Sequence, residues 1–385
     1  MASSEPSSHY SPDPNIMERK AGEYLRSACE GGPSRESGLK PEDLVALRRI
    51  RRCAVAWAIV SGTVSGAIIG GVEMYVRLVV LDSPDAFEWR EHLPAWTVFY
   101  AFVGVVTVVE IVFLYWNALR AIVKIGRSAG VPFDDDSFSE LITSSLARSA
   151  LEIPNRQQKI YGIDPYALMS RWRLLAQNLL YKVKVGATSF IIRVVMRRVL
   201  ARAVLRGYIP LIAIPLYAIW NAIITWRVIN EAWIRALGPF IVAQVQSCVS
   251  NAKESLDERG RETILHGVGE MIRRGGDAHP SYVLLLSRLI PELGFDKDEI
   301  DVDWSGRRET IQGWADDERS ALLLVLTMTG VLTGKPRKAQ REFLREVHGD
   351  CGVEYREDRV ESLKKDLFEG RPARFPAGPR SGYAQ

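Results

Sequence analysis

The sequence predicts an all-α membrane protein: a transmembrane helical hairpin, a middle segment of basic amphipathic and apolar helices, and a C-terminal soluble helical bundle. Three observations predict it. Two runs, about residues 54–72 and 95–116, carry a single charge between them. Basic residues crowd the two ends of this pair that face away from the connecting loop. From about residue 240 onward, apolar residues recur at helical spacing between short Gly-rich or charged turns.

The first element is an arm, residues 1–40. Its opening, MASSEPSSHYSPDPN, has no basic n-region and no apolar core, so no secretory signal peptide is expected. Ser, Pro and charge dominate as far as Lys40, and the stretch reads as disordered and solvated, with a short helix over Ile16–Glu30 inside it. Residues 370–385, rich in Pro, Gly and Arg, read as a second disordered tail.

The hairpin occupies residues 41–127. Pro41 at a first helical position, followed by Glu42 and Asp43, starts the first helix. Ala54 to Val72 is a stretch of 19 uncharged residues, and at about 1.5 Å per residue it covers a hydrocarbon core of roughly 30 Å. Arg48, Arg49, Arg51 and Arg52 precede it, and Arg120, Lys124 and Arg127 follow the second run. The connection between holds Glu73, Asp82, Asp85, Glu88 and Glu91 against Arg77 and Arg90, so it is poor in basic residues. The positive-inside rule therefore places both ends in the cytoplasm of a multi-pass cell (inner) membrane protein, with Trp57 and Trp116 near the inner boundary and Trp89 and Trp96 near the outer one.

Two features mark the hairpin's interior. Gly62, Gly66 and Gly70 share one helix face, where missing side chains let another helix approach. Packing against the second span, at Gly104 and Thr107, is the expectation, and a seam between identical chains is the alternative. Glu110 is the one charge well inside a span; pairing with a neighbour such as Ser61 is weighed against an ion or proton path.

The middle segment, residues 131–239, opens with a turn at 131–136, a helix over Ser137–Ser149, and Asp164-Pro165 as a further helix start. Arg193, Arg197, Arg198 and Arg202 then alternate with Phe, Ile and Val, a pattern suited to anionic lipid head groups and equally to a core helix with a solvated basic edge. Gly207–Trp226 is a third apolar run of 20 residues, interrupted by Pro210 and Pro215 and carrying Asn221 as an intramembrane polar residue. It reads as membrane-associated without needing to cross.

The bundle, residues 240–369, shows helical periodicity over Ser281–Leu293, Asp317–Val331, Pro336–His348 and Arg356–Phe368. Asp301–Gln312 has the outline of a calcium loop, but Gln312 cannot supply the bidentate carboxylate, so an acidic turn is expected there. The four cysteines are far apart, no nucleotide, hydrolase or zinc motif occurs, and 50 basic against 46 acidic residues give no pull towards nucleic acid. No cofactor, metal or catalytic residue is expected.

Two stretches carry resemblances. KVKVGATSFIIRVVMRRVLARAVLR with IPLIAIPLYAIWNAIITWRVINEAWIRALGP, within Lys182–Pro239, resembles a family of bacterial membrane proteins of uncharacterised role and, more distantly, the EcsC-like family. ERSALLLVLTMTGVLTGKPRKAQREFLREVHGDCGV, within Ser281–Gly370, resembles the tellurite-resistance TerB-like domain. Such domains carry an Asp-Gly turn and an acidic residue for metal, where this chain has Thr333-Gly334 and Gln340. The resemblance implies a helical interaction module linked to membrane-associated stress or secretion complexes. A non-enzymatic anchored adaptor is the function expected, with the bilayer and a protein as partners. A homo-oligomeric pore or transporter component is the alternative.

Overall fold

A computed structural model describes residues 16–29, 40–80, 93–131, 137–151, 153, 155, 158–170, 172, 209–296 and 300–373. Among these residues the regular elements are all helices, with an isolated antiparallel bridge between Ile160 and Ile163 in place of any sheet. The helices are α1 (Ile16–Cys29), α2 (Pro41–Tyr75, continued by a π turn over Val76–Val80), α3 (Leu93–Ala129), α4 (Ser137–Ala150), α5 (Ile209–Ala252), α6 (Glu258–Gly275), α7 (Pro280–Glu292), α8 (Arg307–Gln312), α9 (Asp316–Val331), α10 (Lys338–Asp350) and α11 (Glu357–Phe368). Two of them, α2 and α3, are long and apolar enough to cross a membrane.

Local chemistry accounts for the helix starts. Pro41 opens α2, and the Asp43 carboxylate accepts from the Lys40 N–H, satisfying one of the donors a helix start leaves unpaired. Asp257 caps α6 by accepting from Gly260 N–H at 2.7 Å, and Gly276, at φ +59°, closes it in the left-handed conformation that glycine tolerates. His279 caps α7 ahead of Pro280.

α2 and α3 run antiparallel. Asn117 Nδ2 donates to Ala54 O at 2.9 Å at one end, and Ile69 and Val76 pack with Trp96, Phe99 and Val103 at the other. α5 lies along α2, again antiparallel, and enters a second core. That core gathers Val242 and Val249 of α5, Met271, Leu286, Leu326, Phe343 and Leu367, so α5 is common to the apolar unit and to the C-terminal helices.

The short helix expected over Ile16–Glu30 is present as α1, where Glu18, Ala21 and Leu25 recur on one face and bury it, Leu25 being fully buried. Two expectations are corrected. The limit drawn at 239/240 falls inside a helix. α5 runs through both Pro215 and Pro239 over 44 residues, about 66 Å, each proline costing one backbone hydrogen bond that the packing on both sides offsets. After Asp164, which accepts from Tyr166 N–H at 2.8 Å, the chain turns at 165–169 instead of continuing as helix.

Candidate functional site

The outer faces of α2, α3 and the first half of α5 are apolar and uncovered. On α3, Val98, Val105, Val108, Val109 and Val112 are each at least 60 % exposed. Val60, Val64 and Ile68 of α2 and Ile219 and Ile223 of α5 continue this belt. Fully burying a valine is worth about 1.5 kcal/mol or more, so a belt of this size facing water is a large unsatisfied term; exposed patches of this kind mark a lipid or protein contact. Only 22 % of the most apolar stretch of α3 is buried, which is not the pattern of a core helix.

The inner faces carry the polar groups instead: Ser65 and Glu73 of α2, Thr107, Glu110 and Asn117 of α3, Asn221 and Thr225 of α5 are all buried. Glu110 accepts from Asn221 Nδ2 at 2.7 Å across the α3–α5 contact. Residues 111 apart in sequence are thus joined, and two of the polar residues expected to matter meet each other.

The glycine stripe faces a different helix from the one expected. A Cβ on Gly62 would lie 2.7 Å from the Tyr217 carbonyl oxygen, and one on Gly66 would lie 3.1 Å from Ile214 Cα. Both glycines therefore admit the α5 backbone, while Gly104 of α3, the expected recipient, has open space beside it. α5 follows α2 antiparallel over this stretch, Gly62 against Tyr217 and Gly66 against Ile214, so its backbone takes the place expected for the second span. Gly70 is buried on the same face. Arg193, Arg197, Arg198 and Arg202 lie outside the described residues.

A second polar centre, not foreseen from the sequence, sits where α4, α5 and the loop before α7 meet. The Arg235 side chain, 5 % exposed, donates to Glu231 Oε1 (2.9 Å), Ser145 O (2.7 Å) and Asn155 Oδ1 (3.1 Å). Asn155 donates in turn to both Asp277 oxygens at 3.1 Å, and His279 Nε2 stands 3.5 Å from Glu231. Burial alone would raise the Glu231 carboxyl. The nearby His279 ring and the charge of Arg235 outweigh it and hold the group down at about 2. Nearby, Glu18 of α1 accepts from Ser144 and Arg148 of α4. The signal that could have found Arg235 is its spacing from Glu231: an acid and a base four residues apart on an otherwise apolar helix.

Within the C-terminal helices the polar side chains serve structure. Tyr282 OH, raised by burial, is approached by Gln340 Nε2 at 3.2 Å and Thr333 Oγ1 at 3.4 Å. Gln340 also donates to Met271 O. Tyr282, Thr333 and Gln340 thus form a neutral hydrogen-bonded cluster. In Asp301–Gln312, Asp303 accepts from Ser305 N–H and its hydroxyl, and Arg308 pairs with Asp350. Among the described residues no group of three His, Cys, Asp or Glu side chains converges. Burial pushes the Cys248 thiol up to about 11 and the Cys351 thiol up to about 12, so neither is a thiolate at neutral pH. An open groove of about 770 Å³ crosses the end of this region, lined by Asp257, Arg259, Glu262, Arg307, Glu309 and Trp314 among others.

Comparisons with protein-family models, with curated proteins and with solved structures give no significant match.

Proposed function

We propose that this chain is a non-enzymatic, multi-pass protein of the cell (inner) membrane, a membrane-anchored adaptor whose C-terminal helices bind a protein partner on the cytoplasmic side. α2, α3 and the first half of α5 form the membrane unit, with the N-terminus also cytoplasmic. The observation that carries the reading is α5 itself. Its first half shows apolar residues outward and Asn221 and Thr225 inward, the arrangement lipid demands. Its second half is a core helix of the C-terminal bundle. A partner held by the bundle is therefore held at a fixed height and angle to the membrane. The polar groove at the bundle's end is its proposed seat, and the TerB-like resemblance supports a binding role. So does the use of each histidine described in detail as a structural partner: His266 Nδ1 accepts from Asp303 N–H, His279 caps α7, and His348 Nδ1 meets Leu344 O.

The test is the native mass and composition of the chain extracted in mild detergent from membranes washed with alkaline carbonate. One or two copies with a stoichiometric companion protein is the expected result. Release by the wash, or a uniform ring of identical chains without companions, would overturn the adaptor reading.

A second reading, an oligomeric pore or transporter component, is favoured by the carboxylate of Glu110, buried among apolar helices against Asn221. With so few spans per chain it requires a ring of copies. Flux through reconstituted protein that is lost in Glu110→Gln supports it; flux that does not depend on Glu110 removes that residue from any path.

A further inference from the structure

The register of the three apolar helices brings together residues far apart in sequence. Asn117 sits level with Ala54, Gly62 with Tyr217, and Asn221 with Glu110. Carried along each helix at about 1.5 Å per residue, this register puts Trp57, Trp116 and Trp226 within about one turn of a common level. All three are exposed, at 58 %, 50 % and 47 %. Beyond them, on the side away from the apolar belt, the same register puts Arg52 of α2, Arg120 of α3 and Arg227 of α5 within about one turn of a common level. These three arginines are exposed too, and none pairs with a carboxylate among the described residues. The Arg120 guanidinium lies over the Trp116 ring, 5.2 Å from its centroid, and Trp57 reaches Trp116 through Phe113.

We infer that Arg52, Arg120 and Arg227 form a lipid-binding girdle, one guanidinium per helix, that engages the headgroups of anionic glycerophospholipids beneath the tryptophan ring. The inference rests on the membrane reading above and names the lipid class the unit prefers. Three observations argue for this occupant. The apolar belt ends at the tryptophans, where indole rings favour the headgroup boundary. The guanidiniums follow directly below, at the depth of the phosphates. Guanidinium forks match phosphate oxygens in pairs and are weakly hydrated, so they hold a phosphate where an ammonium would keep its water. A zwitterionic headgroup brings its own cation to the same place and gains less. Arg120 is also pre-oriented by its stack on Trp116, which reduces the side-chain entropy lost on binding.

The full chain is reconstituted in nanodiscs of phosphatidylcholine alone, or of phosphatidylcholine and phosphatidylglycerol in equal parts, and released lipids that stay bound are counted by native mass spectrometry. Wild type should retain phosphatidylglycerol in preference to phosphatidylcholine. The triple variant Arg52→Gln/Arg120→Gln/Arg227→Gln should bind it about a hundredfold more weakly, roughly fivefold for each arginine. The triple Lys variant, which keeps the charge, should recover part of the loss. The triple variant Lys338→Gln/Arg359→Gln/Lys365→Gln, which removes the same charge from exposed sites on the bundle, should bind as wild type does. Because the girdle is solvent-exposed, the Gln variant should keep its helical circular dichroism. Equal retention of the anionic lipid by wild type and the Gln variant would overturn the girdle and leave the membrane reading intact. A chain that never enters the nanodisc, or leaves membranes in alkaline carbonate, would overturn both.

Discussion

Gly62 and Gly104 are both glycines inside apolar helices, and they should respond oppositely to the same methyl group. At Gly62 the new Cβ meets a backbone carbonyl at 2.7 Å, which no rotamer change can relieve, so α2 and α5 must part. Gly62→Ala should cost about 1–3 kcal/mol. At Gly104 nothing lies within 4 Å, and Ala is the better helix former, so Gly104→Ala should be neutral or stabilising by up to about 1 kcal/mol. Thermal unfolding of the two variants in one detergent decides it; similar losses at both sites would mean that helix flexibility, not close approach, is what the glycines supply. Glu231 offers a second residue-scale test. Its carboxyl lies at about 2 when folded against an ordinary 4.5, so the folded form binds its proton less readily. Its contribution is therefore fully present above pH 4.5 and is lost as pH falls from there towards 2. Its side chain is 39 % exposed, so solvent screens the effect and it should be modest. Acid unfolding of Glu231→Gln should show a flatter stability profile than wild type across that window; parallel profiles would assign the acid response elsewhere. The glycine stripe and Glu110 are legible in the sequence because a repeated absence of side chains, or a lone charge, stands out against an apolar run. Their partners are not, since Tyr217 and Asn221 reach them only after the chain has returned from more than a hundred residues away.

Among the elements, α2 and α3 are read closely from the sequence, because length and charge silence over a run are local properties. The extent of α1 is legible too, though not the narrow buried face, Ala21 and Leu25 with Glu18, that it hides inside a polar composition. α5 is read less well. In α5 two prolines lead a local reading to place interruptions and a domain limit, while the contacts on either side keep the helix continuous. The proposed orientation of these elements can be checked directly. With the four native cysteines replaced, Val79→Cys, at the exposed far end of the first apolar helix, should react with a membrane-impermeant maleimide in intact cells. Lys253→Cys, just beyond the end of α5, should react only after the membrane is opened. Labelling of both in intact cells, or of Lys253→Cys alone, would reverse or abolish the assigned topology.

For the molecule as a whole, the question is whether the bundle is tethered to the membrane unit or built into it. A tether would leave the bundle free to turn about a linker, as loosely joined domains do. Here the connection is a helix, and side chains brace it on several sides. Arg235 ties α5 to α4 and to Asn155, which in turn holds Asp277 ahead of α7. Arg48 of α2 stands 3.8 Å from Glu369 at the end of α11, so the last helix of the bundle returns to the first long helix of the chain. Of these braces the half-exposed Arg48–Glu369 pair contributes little, whereas Arg235 is buried and the buried Ser145 carbonyl has no solvent to replace it. Arg235→Ala should therefore cost about 1–3 kcal/mol, and Arg235→Lys should not restore it, because one ammonium cannot reach Ser145 O, Asn155 and Glu231 with the geometry of a guanidinium fork. Hydrogen exchange locates the effect: in Arg235→Ala, amides of α4 and of the segment leading into α7 should exchange faster, while those of α2 around Gly62 and Gly66 should keep their wild-type rates. Uniform acceleration across α2 as well would make the two halves a single cooperative unit, and no change at α4 would show that the continuity of α5 alone fixes the bundle to the membrane unit.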